Sequence, residues 1–339
     1  MHRSDVTIDL GALRRNVRTL LRALDGAELW AVVKADAYGH GARECAGAAL
    51  GAGATALCVA TVAEALELRP SFAGVRILVM GPASFREVAL AREADLELTV
   101  STGEIPDGVR VHLKLDTGMG RWGLAELPAP SRQVVGLMSH LATADTDAAY
   151  VDWQVQRFRD ATDAHSHLTR HLSNSAAALR YPSARFDAAR CGIALYGLSP
   201  FGEDPGRDGL EPVLRWDSHL AQVKLLRRGH STGYGRRFVA ERDTWVGIVP
   251  VGYADGFRRD LTGTTVRVAG EPRRVVGTVS MDALTVELDR ELPAGTPVVL
   301  VGHGVSLEEH ARVAGTITYE LACGISTAPT RARRTVLDG

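Results

Sequence analysis

Eight short apolar, β-branched runs, alternating with alanine- and leucine-rich stretches, occupy the first 190 residues of this 339-residue chain. The runs are Leu29–Val33, Ala56–Ala60, Val75–Met80, Leu96–Val100, Val111–Leu115, Val134–Ser139, Leu168–Leu172 and Phe186–Ala189. Amphipathic helices are expected between them at Ala42–Leu50, Val62–Leu68, Ser84–Ala91 and Asp147–His165. Strand–helix repeats build parallel sheets, and eight of them predict an α/β fold of the (β/α)8 TIM-type barrel. Ahead of the barrel, Val6–Asp9 reads as a strand, with Asp9 placed to cap a helix from Leu13 to Leu24.

Two connections break this rhythm. STGEIPDGVR, between Val100 and Val111, carries a proline and two glycines, and the segment from Asp116 to Gln133 is equally rich in breakers. A parallel crossover is normally helical. One barrel helix is therefore expected to be absent, and a second absent or vestigial. The barrel surface bared there needs polar outward positions or cover from another subunit.

After Leu198 the pattern changes to short strands with Gly/Pro turns: Leu214–Leu226, Trp245–Val251, Thr265–Val268, Arg274–Val279, Leu284–Leu288 and Pro297–Val301. That pattern predicts an all-β domain. The turn-rich SPFGEDPGRD marks the boundary. The barrel is expected over residues 1–200 and the β-domain over 209–339, with residues 1–10 a candidate for pairing with the second domain.

Length favours two cores over one. A net charge of -1 gives no footprint for nucleic acid or a membrane surface. No apolar run has the length of a signal peptide or a membrane span. Cys45, Cys58, Cys191 and Cys323 lack the spacing of a metal knuckle or a disulfide framework. Each reads as a small buried hydrophobe, and together they fit a reducing cytoplasm. No metal site is expected. Almost every basic residue is arginine, so chemistry that needs an amine has only Lys34, Lys114 and Lys224 to use.

Barrel enzymes place their chemistry just after the strands. Lys34 follows the first run, Lys114 and Asp116 end the fifth, and His140 ends the sixth. Ser173, Asn174 and Ser175 follow the seventh; Arg190, Gly192 and Ile193 follow the eighth. Loops after the last two strands commonly bind phosphate, and small residues there let amides approach one. A lysine facing an anion site across one mouth is the arrangement pyridoxal phosphate (PLP) requires. His140 or Arg190 alone is as readily structural; their joint placement makes the site.

AVVKADAYGHG from Ala31 resembles the PLP-lysine signature of the alanine racemase family, a fold type III group. So do HLKLDTGMGRWG from His112, SHLATAD from Ser139, HLSNSAAAL from His171 and RCGIALYG from Arg190. In the second domain the matching blocks are STGYG from Ser231, PVGYADGF from Pro250, SMD from Ser280 and TYE from Thr318.

The resemblance implies a PLP-dependent isomerase that interconverts L- and D-alanine for cell-wall synthesis, with Lys34 bonded to the cofactor. Lys34 and Tyr234, the latter reaching the site from a partner subunit, would be the two bases on opposite faces of the substrate Cα. An ordinary tyrosine, with a pKa of about 10, needs help in that role, which the family draws from residues matching His140 and Arg190. Arg190 also matches the arginine facing the pyridine nitrogen, where a guanidinium gives up no proton. Tyr38, Asn174, Ser175, Tyr319 and the amides of Gly192 and Ile193 match cofactor ligands. Arg121 and the backbone of Met281, the latter from the partner subunit, match holders of the substrate carboxylate, and Tyr253 lines the substrate site. Lys114 matches a lysine carbamylated in many members; an ion pair with Asp116 is the ordinary reading of the same residue. The access corridor falls on Tyr253, Asp145, His171 and Arg259. A small amino acid as substrate and a homodimer with shared sites follow.

The chain departs from the family pattern at Ala328 and Thr278, where arginines are usual. Serine or a broader amino-acid range therefore stays open as substrate. Three further readings compete with a racemase: a decarboxylase of the same fold type, a PLP carrier without catalysis, and a former racemase kept for binding.

Overall fold

The computed structural model describes residues 2–339, which cluster into two compact units. One holds 12–201 and 205–211; the other holds the chain up to Gly11, 202–204 and 212–339.

The chain opens with β1 (Asp5–Asp9) and passes directly into α1 (Leu10–Leu24), which starts three residues before the expected Leu13. Leu13, Val17, Leu20 and Leu24 recur at helical spacing on α1 and are fully buried. The barrel follows: β2 (Glu28–Val32), β3 (Ala56–Val59), β4 (Arg76–Val79), β5 (Glu97–Val100), β6 (Arg110–Lys114), β7 (Val134–Met138), β8 (Thr169–His171) and β9 (Ala188–Cys191). All pair in parallel, and β9 returns to β2 through Ala31↔Cys191, so the sheet closes. Its helices are α2 (Ala42–Gly51), α3 (Val62–Leu68), α4 (Phe85–Glu93), α5 (Ala148–Thr162) and α6 (Ser175–Arg180). Thr61 and Glu64 form a capping box on α3, and Asp147 caps α5 by accepting from the Tyr150 amide.

Neither the β5–β6 nor the β6–β7 connection contains a helix. Neither expected remedy for the bared surface is the one found within the chain. Leu98, Val111 and Leu113 alternate with inward residues, so they point outward; they are apolar, yet buried in the single chain. The 115–133 loop folds back on the end of β6, where Leu124 donates to the Lys114 carbonyl and Asp116 donates to that of Leu124.

The other unit is built on one nine-stranded sheet, ordered β11-β14-β17-β16-β15-β18-β10-β1-β19. These strands are β10 (Leu214–His219), β11 (Gln222–Leu226), β14 (Thr244–Val249), β15 (Thr265–Val268), β16 (Glu271–Val276), β17 (Leu284–Leu288), β18 (Pro297–Val301) and β19 (Arg333–Leu337). A separate ribbon pairs β12 (Ser231–Thr232) with β13 (Phe238–Val239). β1 lies in the large sheet, antiparallel to β10 and parallel to β19. The stretch Leu214–Leu226, read as one strand, is two, at separated places in the sheet. The unit also carries two short helices that its strand pattern hid, α7 (Leu307–Ala314) and α8 (Thr318–Gly324). Among the described residues, no helix is long and apolar enough to cross a membrane.

Candidate active site

Directly after β2 the backbone makes a left-handed turn. Ala35, Asp36, Ala37 and Tyr38 all have φ between 51 and 55°, a conformation costing about 1–2 kcal/mol for each L-residue. The turn is tied down at both ends. Glu64 accepts from the Ala35 amide at 2.7 Å, and Asp36 accepts from the Ala42 amide at 2.7 Å. Lys34 begins this turn, and Tyr38 within it is buried. Because Ala31 pairs with Cys191, the segments from Lys34 and from Gly192 leave the barrel side by side.

The Tyr38 hydroxyl lies over Gly192, where an added Cβ would overlap it. Ser175, first residue of α6, accepts from the amides of Gly192 (3.0 Å) and Ala194 (3.4 Å). Asn174 caps α6 by accepting from the Ala177 amide at 3.0 Å. The loops after β8 and β9 thus form a small-residue cradle of hydroxyls and amides next to Lys34. This donor set suits an anion, as an amine suits an aldehyde, so the residues fit PLP.

Arg190 on β9 is buried and heavily bonded. It donates to the carbonyls of Ser139 (2.7 Å) and His171 (2.8 Å), to His171 Nδ1 (2.7 Å) and to His140 Nδ1 (3.2 Å). Burial lowers even this guanidinium to about 10. Burial, then the charges of Arg190, Lys114, Arg121 and Lys34, holds His140 well below the usual histidine range. His140 is therefore neutral at pH 7. Since arginine only donates, His140 accepts at Nδ1 and carries its proton on Nε2. Gln154 secures the same loop, donating to the His140 carbonyl and accepting from the Ala142 amide.

Lys114, at the end of β6, is buried, and burial together with Arg190 and Arg121 brings it down to about 8. Asp116 turns its carboxylate to the amides of Gly118 (2.9 Å) and Gly120 (3.1 Å) instead of pairing with Lys114. Lys114 and Arg121 both lie over the Trp122 ring, at 5.7 and 5.6 Å.

Four further expected site residues, Tyr234, Met281, Tyr253 and Tyr319, belong to the other unit. Tyr234 is 73% exposed, Met281 51% and Tyr253 42%. Tyr234 sits on a turn flanked by Gly233 and Gly235, both at positive φ. Thr278 donates to its carbonyl at 2.8 Å, so this departure from the family pattern anchors the turn. Tyr253 and Met281 lie on loops tied by hydrogen bonds from the Tyr253 amide to the Ser280 carbonyl and from the Ala254 amide to the Met281 carbonyl. Tyr319 is the second residue of α8.

Two expectations need correction. His171 lines no corridor: it is fully buried inside the barrel, against Trp30 at 4.5 Å. Cys323 is exposed, unlike the other three cysteines. Glu64, Gln154 and Thr278 carry parts of the site that the sequence pattern did not assign to them. Only the Thr61–Glu64 spacing signalled its residue's role, through the capping box.

Fold and site together define a barrel enzyme working at the C-terminal ends of its strands. Residues 8–200 match the family profile "Alanine racemase, N-terminal domain", and residues 213–333 match "Alanine racemase, C-terminal domain". Alanine racemase 1 of Bacillus subtilis is 41% identical over 94% of this chain and 90% of its own. The alanine racemase of Lactiplantibacillus plantarum is 40% identical over 95% of each. The crystal structure of the biosynthetic alanine racemase from Pseudomonas aeruginosa superposes with a TM-score of 0.92 at 36% identity, covering 99% of this chain and all of that one. The chain belongs to the alanine racemase family and is an isomerase. Matches to both domains set aside the barrel-only carrier.

Proposed function

We propose that this isomerase interconverts L- and D-alanine, using PLP bound at the barrel mouth, as a cytoplasmic homodimer with shared sites. The observation that carries this reading is the single wall formed by Lys34, the Tyr38 hydroxyl and the Ser175–Gly192 cradle. A lysine next in line to hydroxyls and amides at the strand ends supports the pairing of an amine with an anion site.

Lys34 would bond the cofactor. Tyr38, Asn174, Ser175, Tyr319 and the amides of Gly192 and Ile193 would hold its phosphate side, with Arg190 facing the ring nitrogen. PLP, when bound, supplies the electron sink that makes a substrate Cα proton removable. Lys34 then moves that proton on one face, and Tyr234 of the partner subunit moves it on the other. His140 assists because its Nε2 proton is free to donate to a phenolate, while Arg190 fixes its Nδ1. Arg121 and the backbone of Met281 of the partner subunit would hold the substrate carboxylate.

Lys114 supports carbamylation in one respect. Carbon dioxide adds only to a neutral amine, and lowering Lys114 to about 8 makes that form accessible near neutral pH. The product is an anion between two cations. The strong exposure of Tyr234, Met281 and Tyr253 in one chain supports the dimer.

The test is α-proton exchange followed by NMR, with the PLP-loaded protein and L-alanine in heavy water. Loss of the α-proton signal with formation of D-alanine is the expected result. Exchange without D-alanine would mean one base works alone; no exchange would sink alanine as substrate.

A further inference from the structure

The barrel interior holds a polar chain that the reaction described above does not use. Glu97 begins β5 at the N-terminal mouth and is almost wholly buried. Its Oε2 lies 2.8 Å from His112 Nε2; His112 Nδ1 lies 2.8 Å from His171 Nε2; His171 Nδ1 lies 2.7 Å from Arg190 Nη1. The chain crosses the interior, since Trp30 on β2 packs against both histidines although β2 pairs only with β3 and β9. Gly136 makes room for it: a Cβ there would overlap the His112 ring.

The ends of the chain dictate the direction of every proton. Arg190 at one end can only donate and ionised Glu97 at the other can only accept, so both favour the order in which His171 Nδ1 accepts and its proton sits on Nε2. That proton goes to His112 Nδ1, which puts the His112 proton on Nε2, donated to Glu97. A proton on His112 Nδ1 would push the His171 proton to Nδ1, opposing two donors across 2.7 Å. The surroundings favour this order. Burial lowers both histidines despite the Glu97 charge beside His112. Burial pushes Glu97 up, but His112, Arg76 and Arg110 prevail and hold it below the usual carboxylate range. Arg76 also pairs with Glu28, and Arg110 with Asp95; the buried thiols Cys58 and Cys191 lie near Arg190.

We propose that Glu97 is a positioning residue of this racemase: by accepting from His112 it locks, together with Arg190 at the other end, the tautomers of His112 and His171, and so holds the Arg190 guanidinium at the barrel mouth. The consequence for turnover rests on the role proposed above for Arg190; the tautomers do not.

Two-bond 15N–1H spectra of the PLP-loaded and cofactor-free proteins, labelled at histidine nitrogen, read the tautomers directly. His112 and His171 are expected in the Nε2–H form from pH 6 to 9. Glu97→Ala should leave His171 in a mixture of tautomers and lower kcat about tenfold, with KM within about twofold, a loss typical of one misplaced group. Glu97→Gln keeps an acceptor for His112, so it should restore the tautomers and bring kcat within about threefold of the parent. A proton on Nδ1 of either histidine in the parent protein would overturn the proposal, even if Glu97→Ala failed to fold. So would a Glu97→Ala protein with lowered melting temperature but unchanged His171 tautomer and kcat. Full activity in Arg190→Lys would instead sink the role of Arg190 and leave the tautomer result standing.

Discussion

In the sheet unit, Val246, Val266, Val286, Val298 and Leu300 are wholly buried and make no polar demand on their neighbours. In the barrel, the corresponding space holds Glu97, His112, His171 and Arg190, each bonded to the next. An apolar core tolerates imperfect packing at a graded cost, whereas a buried polar chain is costly wherever one partner is missing. The two units also differ in where chemistry sits. The barrel keeps its reactive groups inside or at its mouth, while the sheet unit presents Tyr234, Tyr253 and Met281 outward on turns. Stability in the sheet unit and chemistry in the sheet unit should therefore separate cleanly, and in the barrel they should not.

The largest separation is expected at Tyr234. Tyr234→Phe should lower racemisation by about 10²–10⁴, the usual worth of a base, while the melting temperature stays within about a degree. Calorimetry beside a coupled D-alanine assay checks this; a large melting shift would break the contrast. The converse is Leu300→Ala, a cavity in the sheet core. It should cost about 2–5 kcal/mol in urea unfolding and leave kcat unchanged at temperatures where the protein stays folded.

Acid should act on the barrel first. Its His112, His140 and His171 all have lowered values in the fold, against one such residue, His310, in the sheet unit. Below about pH 6.5 the unfolded chain takes up protons that these folded histidines refuse. The stability they contribute is thus present above that pH and is lost as pH falls, by up to about 1.4 kcal/mol per unit for each. The lowered value of Glu97 acts in the same direction, but only as pH falls through the usual carboxylate range and below, so it adds little to this loss between pH 6.5 and 5. Hydrogen exchange at pH 7.5 and 5.5 should show barrel peptides losing protection before those of β14 and β17. Equal loss in both would remove the distinction.

The smallest effect is expected at Thr278→Ala, which removes the bond to the Tyr234 carbonyl. About 1 kcal/mol of stability and a few-fold loss in kcat should follow, read by urea melts and steady-state kinetics. An unchanged kcat would mean the turn holds Tyr234 without its anchor.

The eight barrel strands, the two missing crossover helices and the change to strands after Leu198 were all written in local pattern, because period, glycine and proline act over a few residues. So was the prominence of Lys34, in a chain with only three lysines. Packing decided the rest. Leu214–Leu226 reads as one strand, yet Leu220 bonds to Thr296 and Ala221 to Ile248, which splits it between different partners. The turn after Lys34 opposes the preferences of all four of its L-residues and persists because Glu64, nearly thirty positions away, and Asp36 hold it. Glu97, His112, His171 and Arg190 are ordinary polar residues in four separate strands. Closing the barrel brings them into one line, since a hydrogen bond depends on distance in space and strand periodicity says nothing of what lies across the interior.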